Sequence, residues 1–330
     1  MNKEKKMPEM VGVFSELAYS FIDYKRSLGY KYDAEPKCIS RFCRFAEEKG
    51  VNTVEITKEL AYEWCAPREY ESRKSRSHRI TCIRQFAIYI SNLAYPAYIM
   101  PEQKFTNSCK GFTPYIFTDD EIHRLIKAVD QTEETRVARN MHLSLPVIFR
   151  LLYCCGMRVS EVCTLKVRDV DLVNGVLTLK NTKNGMDRYI PLSGSVHKAC
   201  LEYSQKVSLS NPDDYFFKAP DNGQISPMCI YERYRRYLLD AKISHGGKGK
   251  GPRLHDLRHT FAVHALQKWI ENDENIYAKL PILSAYMGHS NIHSTSRYLR
   301  LTAAAYPDLL KTIEEYSGFV IPEGWDSETD

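Results

Sequence analysis

This chain is marked first by what it lacks. Its ten cysteines include no Cys-x-x-Cys pair, the spacing that a zinc ribbon or a dithiol redox site would need. The adjacent Cys154 and Cys155 lie in an apolar run, so reduced structural thiols are expected and no metal is called for. Nowhere do about eighteen apolar residues run together, which argues against a membrane span or membrane partner. The polar opening MNKEKKMPEM, with no apolar run behind it, does not read as a signal peptide. A cytosolic protein is expected. Nor is there a nucleotide-cradling loop: the glycines of Gly246-Gly247-Lys248-Gly249-Lys250-Gly251 follow no strand and lack the Gly-Lys-Ser/Thr ending.

What is present suits two domains, since 330 residues can bury two separate cores. The net charge of +5 is unevenly placed. Residues 1–110 carry 19 Lys and Arg against 14 Asp and Glu, while the remainder carries 27 of each. Within the first part, Arg68, Arg73, Lys74, Arg76, Arg79 and Arg84 face only Glu69 and Glu71. Such a cluster fits a phosphate backbone, where each neutralised phosphate releases counterions, and it equally fits a solvated helix face.

Apolar residues recur at helical spacing in four stretches: Phe14 to Ile22, Cys38 to Ala46, Leu60 to Cys65 and Ile80 to Leu93. Gly29 and Pro36, then Gly50, then Pro67 separate them. A helical domain over residues 1–105 follows, its aromatic stripes read as core. Residues 106–116, with Gly111 and Pro114 among polar neighbours, read as a linker. A second domain, 117–330, opens with the capping box Thr118-Asp119-Asp120-Glu121.

In that second domain, Leu145 to Cys155 reads as an apolar helix with Pro146 in its first turn. Arg158 stands just past its end. Glu161, three residues on, shares a helical face with Arg158 and can orient its guanidinium. Val176 to Lys180 and Arg188 to Leu192 read as strands of a hairpin around Asn184-Gly185, with Lys183 near the tip. Arg233, Arg235 and Arg236 lie on a further helix, and Lys248 and Lys250 in the glycine-rich loop. These five can touch phosphate or simply face water. A last helix is expected over Ala303 to Glu315, before an acidic end.

Three motifs carry chemistry. Gly156-Met157-Arg158-Val159-Ser160-Glu161 is followed by His255-Asp256-Leu257-Arg258, and then by Gly288-His289-Ser290 with Tyr298 nine residues after the histidine. Two guanidiniums, two imidazoles and a phenol suit attack of a tyrosine oxygen on a phosphodiester. Arg matches two non-bridging oxygens and keeps its charge, and His passes protons near neutrality.

This ordered set, with Lys183 before Ile190-Pro191-Leu192 and with His255 to Ala262, resembles the tyrosine recombinase (phage integrase) family over about residues 117–300. Met157 and Met287 stand where that family usually has Leu. The resemblance implies a mainly α fold with a small antiparallel β-sheet, built as an N-terminal helical DNA-clamping domain and a C-terminal mixed α/β catalytic domain. It implies transesterification without metal, nucleotide or other cofactor. Tyr298 would attack the scissile phosphate to form a 3′-phosphotyrosyl link. Arg158 and Arg258 would meet the charge, Lys183 would protonate the leaving 5′-oxygen, His255 would take the tyrosine proton, and His289 would bond the phosphate. It further implies double-stranded DNA as partner, a homotetramer on a synapse with exchange of C-terminal segments, and accessory directionality factors in a bacterial, nucleoid-associated setting. Integration or excision of a mobile element is the expected role, with Xer-like resolution and a type IB topoisomerase as alternatives. Tyr286, Tyr306 and Tyr316 are nearby tyrosines that the spacing from His289 sets aside.

Overall fold

The computed structural model describes residues 7–102, 113–135, 140–180, 187–247, 251–289, 295–296, 298–299 and 301. It divides the chain into two compact units, 1–112 and 113–330. Tyr115 and Ile116, at the end of the expected linker, pack against the cores of the second unit, and Phe117 N–H donates to Thr260 Oγ1 at 3.1 Å. The second unit therefore starts a few residues earlier than the composition suggests.

Four helices make the first unit: α1 (Ser15–Ser27), α2 (Glu35–Glu48), α3 (Lys58–Cys65) and α4 (Arg73–Asn92). Thr57 and Ser72 cap α3 and α4 by accepting from the amides of Leu60 and Ser75. Pro36 does not separate the first two helices. It occupies the first turn of α2, where its missing N–H would have had no partner. Leu93, expected in the last apolar stripe, instead ends α4 and is exposed. The core is aromatic: Phe86 is fully buried, with ring centroids 5.2 Å from Phe21 and 6.3 Å from both Phe14 and Phe42.

The second unit begins with α5 (Asp119–Asp130), where Thr118 and Glu121 form the capping box. α6 (Met141–Cys154) starts four residues before the expected helix, which places Pro146 inside it rather than in its first turn. That proline withholds the amide that would otherwise reach the carbonyl of His142. After α7 (Val159–Thr164), strands β1 (Val170–Asp171), β2 (Val176–Leu179) and β3 (Arg188–Pro191) form an antiparallel sheet in the order β1-β2-β3, with Leu177 opposite Ile190. β1 is a strand the sequence pattern does not announce, being two residues long. Helices α8 (Gly194–Lys206), α9 (Pro227–Asp240), α10 (Asp256–Glu271) and α11 (Ile276–Met287) follow. Helical backbone recurs at Thr295, Ser296, Tyr298, Leu299 and Leu301. The segment expected as a last helix, Ala303 to Glu315, lies outside the described residues.

Two hydrophobic clusters form the second unit. The larger joins α5 to α9 and the sheet, and the smaller packs Ala262, Val263 and Leu266 of α10 against Leu280, Leu283 and Met287 of α11, with Tyr298 sealing it. No helix among the described residues is long and apolar enough to cross a membrane. Because Phe86 contacts three other rings in a filled core, Phe86→Ala should cost about 3–5 kcal/mol. Urea denaturation of the full chain, followed by circular dichroism, is expected to give an early transition for the first unit. A loss below about 1 kcal/mol would contradict the packing described.

Candidate active site

The site is organised by the end of α11. Gly288 terminates that helix in the left-handed region (φ 65°), its amide donating to Ala285 O and that of His289 to Ser284 O. This is the glycine-closed helix end in which both reversed amides are used. The carbonyls of Tyr286, Met287 and Gly288 would be left over. Each takes an arginine: Arg188 Nε donates to Tyr286 O at 2.9 Å, Arg258 to Met287 O at 2.5 Å, and Arg158 to Gly288 O at 3.1 Å. Cations belong at this negative end of the helix dipole, and these three come from a strand, a helix and a helix start far apart in sequence.

One carboxylate ties two of them together. Glu161 accepts from Arg158 at 2.7 Å and from both terminal nitrogens of Arg188 at 3.0 and 2.9 Å, and also takes the Arg158 amide at 2.8 Å. Burial works to raise its pKa, but the Arg188 and Arg158 hydrogen bonds win and hold it below the usual carboxylate range. Arg258 is only 2 % exposed and also donates to Gly156 O. Gly156 has positive φ, and a Cβ there would run into the Phe261 ring, so glycine lets this carbonyl sit against the arginine. Burial, with Arg158 close by, lowers Arg258 to about 10, which leaves it charged at any working pH.

Arg158 and Arg188 thus share one carboxylate while Arg258 bonds only backbone carbonyls, and the surplus positive charge acts on the histidines. His255, at the start of α10, is brought down to about 4 by burial and then by Arg258. His289 is also brought down to about 4 by the same two causes, and its Nδ1 lies 2.7 Å from Thr295 Oγ1. Both shifts favour the neutral imidazole at pH 7. Tyr298 is buried, its ring 6.0 Å from that of His289 in a stacked arrangement. Its hydroxyl lies 2.9 Å from Nδ1 of His259. The structure thus gathers Arg158, Glu161, His255, Arg258, His289 and Tyr298, while Lys183 lies outside the described residues.

Two participants escape the sequence reading. Arg188 there only opens a strand, yet the period of two puts it on the same inward face as Ile190, leaving Tyr189 exposed. That register was the available signal. His259 is given no role there within the stretch His255 to Ala262, whereas it meets the phenol directly. Among the other tyrosines and histidines, Tyr286 donates to Pro191 O and His264 pairs with the Tyr153 hydroxyl. Tyr306, Tyr316 and His293 lie outside the described residues. No cluster of metal-ligating side chains occurs among the described residues.

The basic side chains expected to grip DNA separate into kinds. Arg79 needs correction: it is 5 % exposed, and its guanidinium meets Glu71 at 2.9 and 2.5 Å and Ala66 O at 3.0 Å, so it ties α4 to the preceding loop. Those bonds hold Glu71 below the usual carboxylate range. Arg76 and Arg84 donate to the carbonyls of Cys65 and Met100, and Arg68 lies over the Trp64 ring at 4.5 Å. Arg68, Arg73 and Lys74 are exposed. In the second unit, Arg235 bonds His245, while Arg233 and Arg236 line a cavity of about 630 Å³ that Glu133 and Asp240 also line. Lys248 and Lys250 lie outside the described residues.

A mainly helical unit with a three-stranded sheet and an arginine-rich site sealed by a tyrosine is the catalytic fold of DNA strand-transfer enzymes. The sequence profile of the phage integrase family matches residues 116–305, and the chain belongs to that family as a tyrosine-type site-specific recombinase. It is 30 % identical over 312 residues to a candidate integrase/recombinase of Sinorhizobium fredii, y4rB, covering 91 % of this chain and 96 % of the other. It is 28 % identical over 269 residues to tyrosine recombinase XerC of Staphylococcus aureus, covering 79 % and 83 %. Its fold is similar to that of the Tn1549 transposon integrase, solved with transposon right end DNA (TM-score 0.61, 17 % identity, 91 % of this chain and 98 % of that one). It is also similar to that of XerH, solved on a palindromic difH substrate (TM-score 0.61, 17 % identity, 92 % and 83 %).

Two predictions follow from this geometry. Arg188→Met leaves half of a buried carboxylate uncompensated and one helix-end carbonyl bare, so it should cost about 3 kcal/mol in urea denaturation. Arg188→Lys should not restore it, since an ammonium cannot span both carboxylate oxygens and the Tyr286 carbonyl. Full rescue by lysine would contradict the fork geometry. The histidines predict a pH effect. With folded values near 4 against 6.5 ordinarily, the unfolded chain binds more protons between those limits, so stability falls as pH drops through them. His289→Gln removes its share, so the stability of the variant relative to wild type should improve from about pH 7.5 to about pH 5. A pH-independent difference would refute the assigned shift.

Proposed function

We propose that this recombinase cleaves and rejoins double-stranded DNA through a 3′-phosphotyrosyl intermediate on Tyr298, serving integration or excision of a mobile element. The observation that carries this reading is the gathering of three guanidiniums at one helix end, two of them paired with the single carboxylate of Glu161, near a buried tyrosine. That arrangement has surplus positive charge for a phosphate and a nucleophile next to it. Arg158 and Arg258 hold the non-bridging oxygens and stabilise charge that builds on the pentacoordinate phosphorus, by analogy with fixed oxyanion donors each worth about 10²–10³ in rate. His289 bonds the phosphate, and Lys183 protonates the leaving 5′-oxygen. One ester replaces another, so no nucleotide is consumed, and fixed cations do the work of a metal. Burial and the nearby Arg258 favour the neutral form of the His255 imidazole.

The mobile-element role is supported by the near full-length likeness to an integrase/recombinase and by a fold shared with a transposon integrase. The exposed Arg68, Arg73 and Lys74 are the members of the N-terminal cluster best placed to meet the DNA backbone. A homotetramer that exchanges its C-terminal segments, residues 303–330, belongs to the same reading.

Tyr298→Phe removes one oxygen and keeps the ring, so folding and DNA binding should stay within about threefold of wild type. Covalent trapping on a nicked suicide substrate should vanish. Peptide mapping of the wild-type adduct is expected to find DNA on Tyr298, and an adduct on Tyr286, Tyr306 or Tyr316 would overturn the assignment. The same cleavage should proceed in excess EDTA. A strict magnesium requirement for strand cleavage would count against a metal-free site.

A further inference from the structure

We propose that His259, rather than the His255 of the recombinase motif, is the group that takes the proton from the Tyr298 hydroxyl. The proposal rests on the strand-cleavage reading above and adds a catalytic residue to it. His259 Nδ1 lies 2.9 Å from the phenol oxygen, within the range of a direct proton transfer, and the two ring centroids are 5.6 Å apart. His255 stands one helical turn earlier on α10 and meets the His259 ring edge-on at 4.8 Å. Arg258 and Arg158 act on the His255 ring by their charge. His289 has its Nδ1 committed to Thr295 and its ring stacked on Tyr298. His259 thus presents a ring nitrogen within hydrogen-bond distance of the reacting oxygen.

His259 meets the rings of His255 and Tyr298, and Tyr298 in turn meets that of His289. Arg158 adds its charge across the site and acts on both flanking histidines. Cations near a phenol favour its ionised form, and a neutral imidazole carrying its proton on Nε2 presents the Nδ1 lone pair to it. In the step, the bond from Tyr298 O to phosphorus forms and the bond from phosphorus to the 5′-oxygen breaks. The phenol proton goes to His259 Nδ1 while Lys183 supplies one to the leaving oxygen. On rejoining, His259 returns its proton to Tyr298 as the 5′-hydroxyl attacks. A base bonded to the nucleophile and a separate acid on the leaving group keep both transfers short.

The test separates proton transfer from packing. Asparagine places an amide close to the position of Nδ1, so His259→Asn can keep a hydrogen bond to the phenol but cannot carry its proton. Single-turnover trapping on a nicked suicide duplex should slow about 10²–10⁴-fold, with DNA binding unchanged. The wild-type rate should level off near neutral pH, whereas that of His259→Asn should climb about tenfold per pH unit, as hydroxide takes over. His255→Asn should slow the reaction but keep the plateau. In the DNA-free protein, the ¹⁵N resonance of His259 Nδ1 should move in Tyr298→Phe. An unmoved resonance, a His259→Asn rate within threefold of wild type, or a plateau lost in His255→Asn instead, would each overturn the proposal. Wild-type protein that forms no adduct on Tyr298 would overturn the strand-cleavage reading and this assignment with it.

Discussion

The catalytic unit depends on how the last carbonyls of α11 are satisfied. A helix end buried in protein leaves carbonyls that must find donors, and here Arg188, Arg258 and Arg158 supply one each. This single constraint does three things together. It fixes the backbone from which His289 projects, it draws β3, α10 and the start of α7 to one point, and it concentrates positive charge there. The cost of burying three cations is met only in part by Glu161, and the remaining imbalance is what a site for an anion requires.

That arrangement explains why the surrounding residues are so tightly specified. Gly288 must take positive φ to close α11, and a Cβ there would meet the Arg188 guanidinium. Gly156 brings its carbonyl onto Arg258 while leaving space for Phe261. Neither glycine is a flexible hinge, because each allows a close approach that any other residue would block. The same logic governs the histidines. Their neutrality follows from burial and from the neighbouring arginines, both of which disfavour the imidazolium form.

The first unit uses its charge differently. Arg79, read in sequence as part of a phosphate-gripping run, is folded inward onto Glu71, and Arg76 and Arg84 are tied to backbone carbonyls. A long basic side chain on a helix serves as readily to close the loop before it as to face a ligand. A run of like charges in a sequence therefore overstates the positive surface, since the partners that neutralise it are brought in by the fold.

The sequence by itself determined the four helices of the first unit, the apolar helix before Arg158 and the paired strands of the hairpin, because apolar spacing and turn residues act over a few positions. It also determined the order of Arg158, Arg258, His289 and Tyr298, since their motifs are contiguous in the chain. Only the tertiary structure decided that Arg188 is the third arginine, that Arg79 is not a surface cation, and that His259 is the imidazole at the phenol. Each of those depends on contacts spanning between 8 and 98 residues. A strand residue points inward or outward by its register, and a helical histidine meets a tyrosine only when a later segment is laid across it. Local propensity carries no record of either, because the free energy that selects them comes from burying the whole site at once.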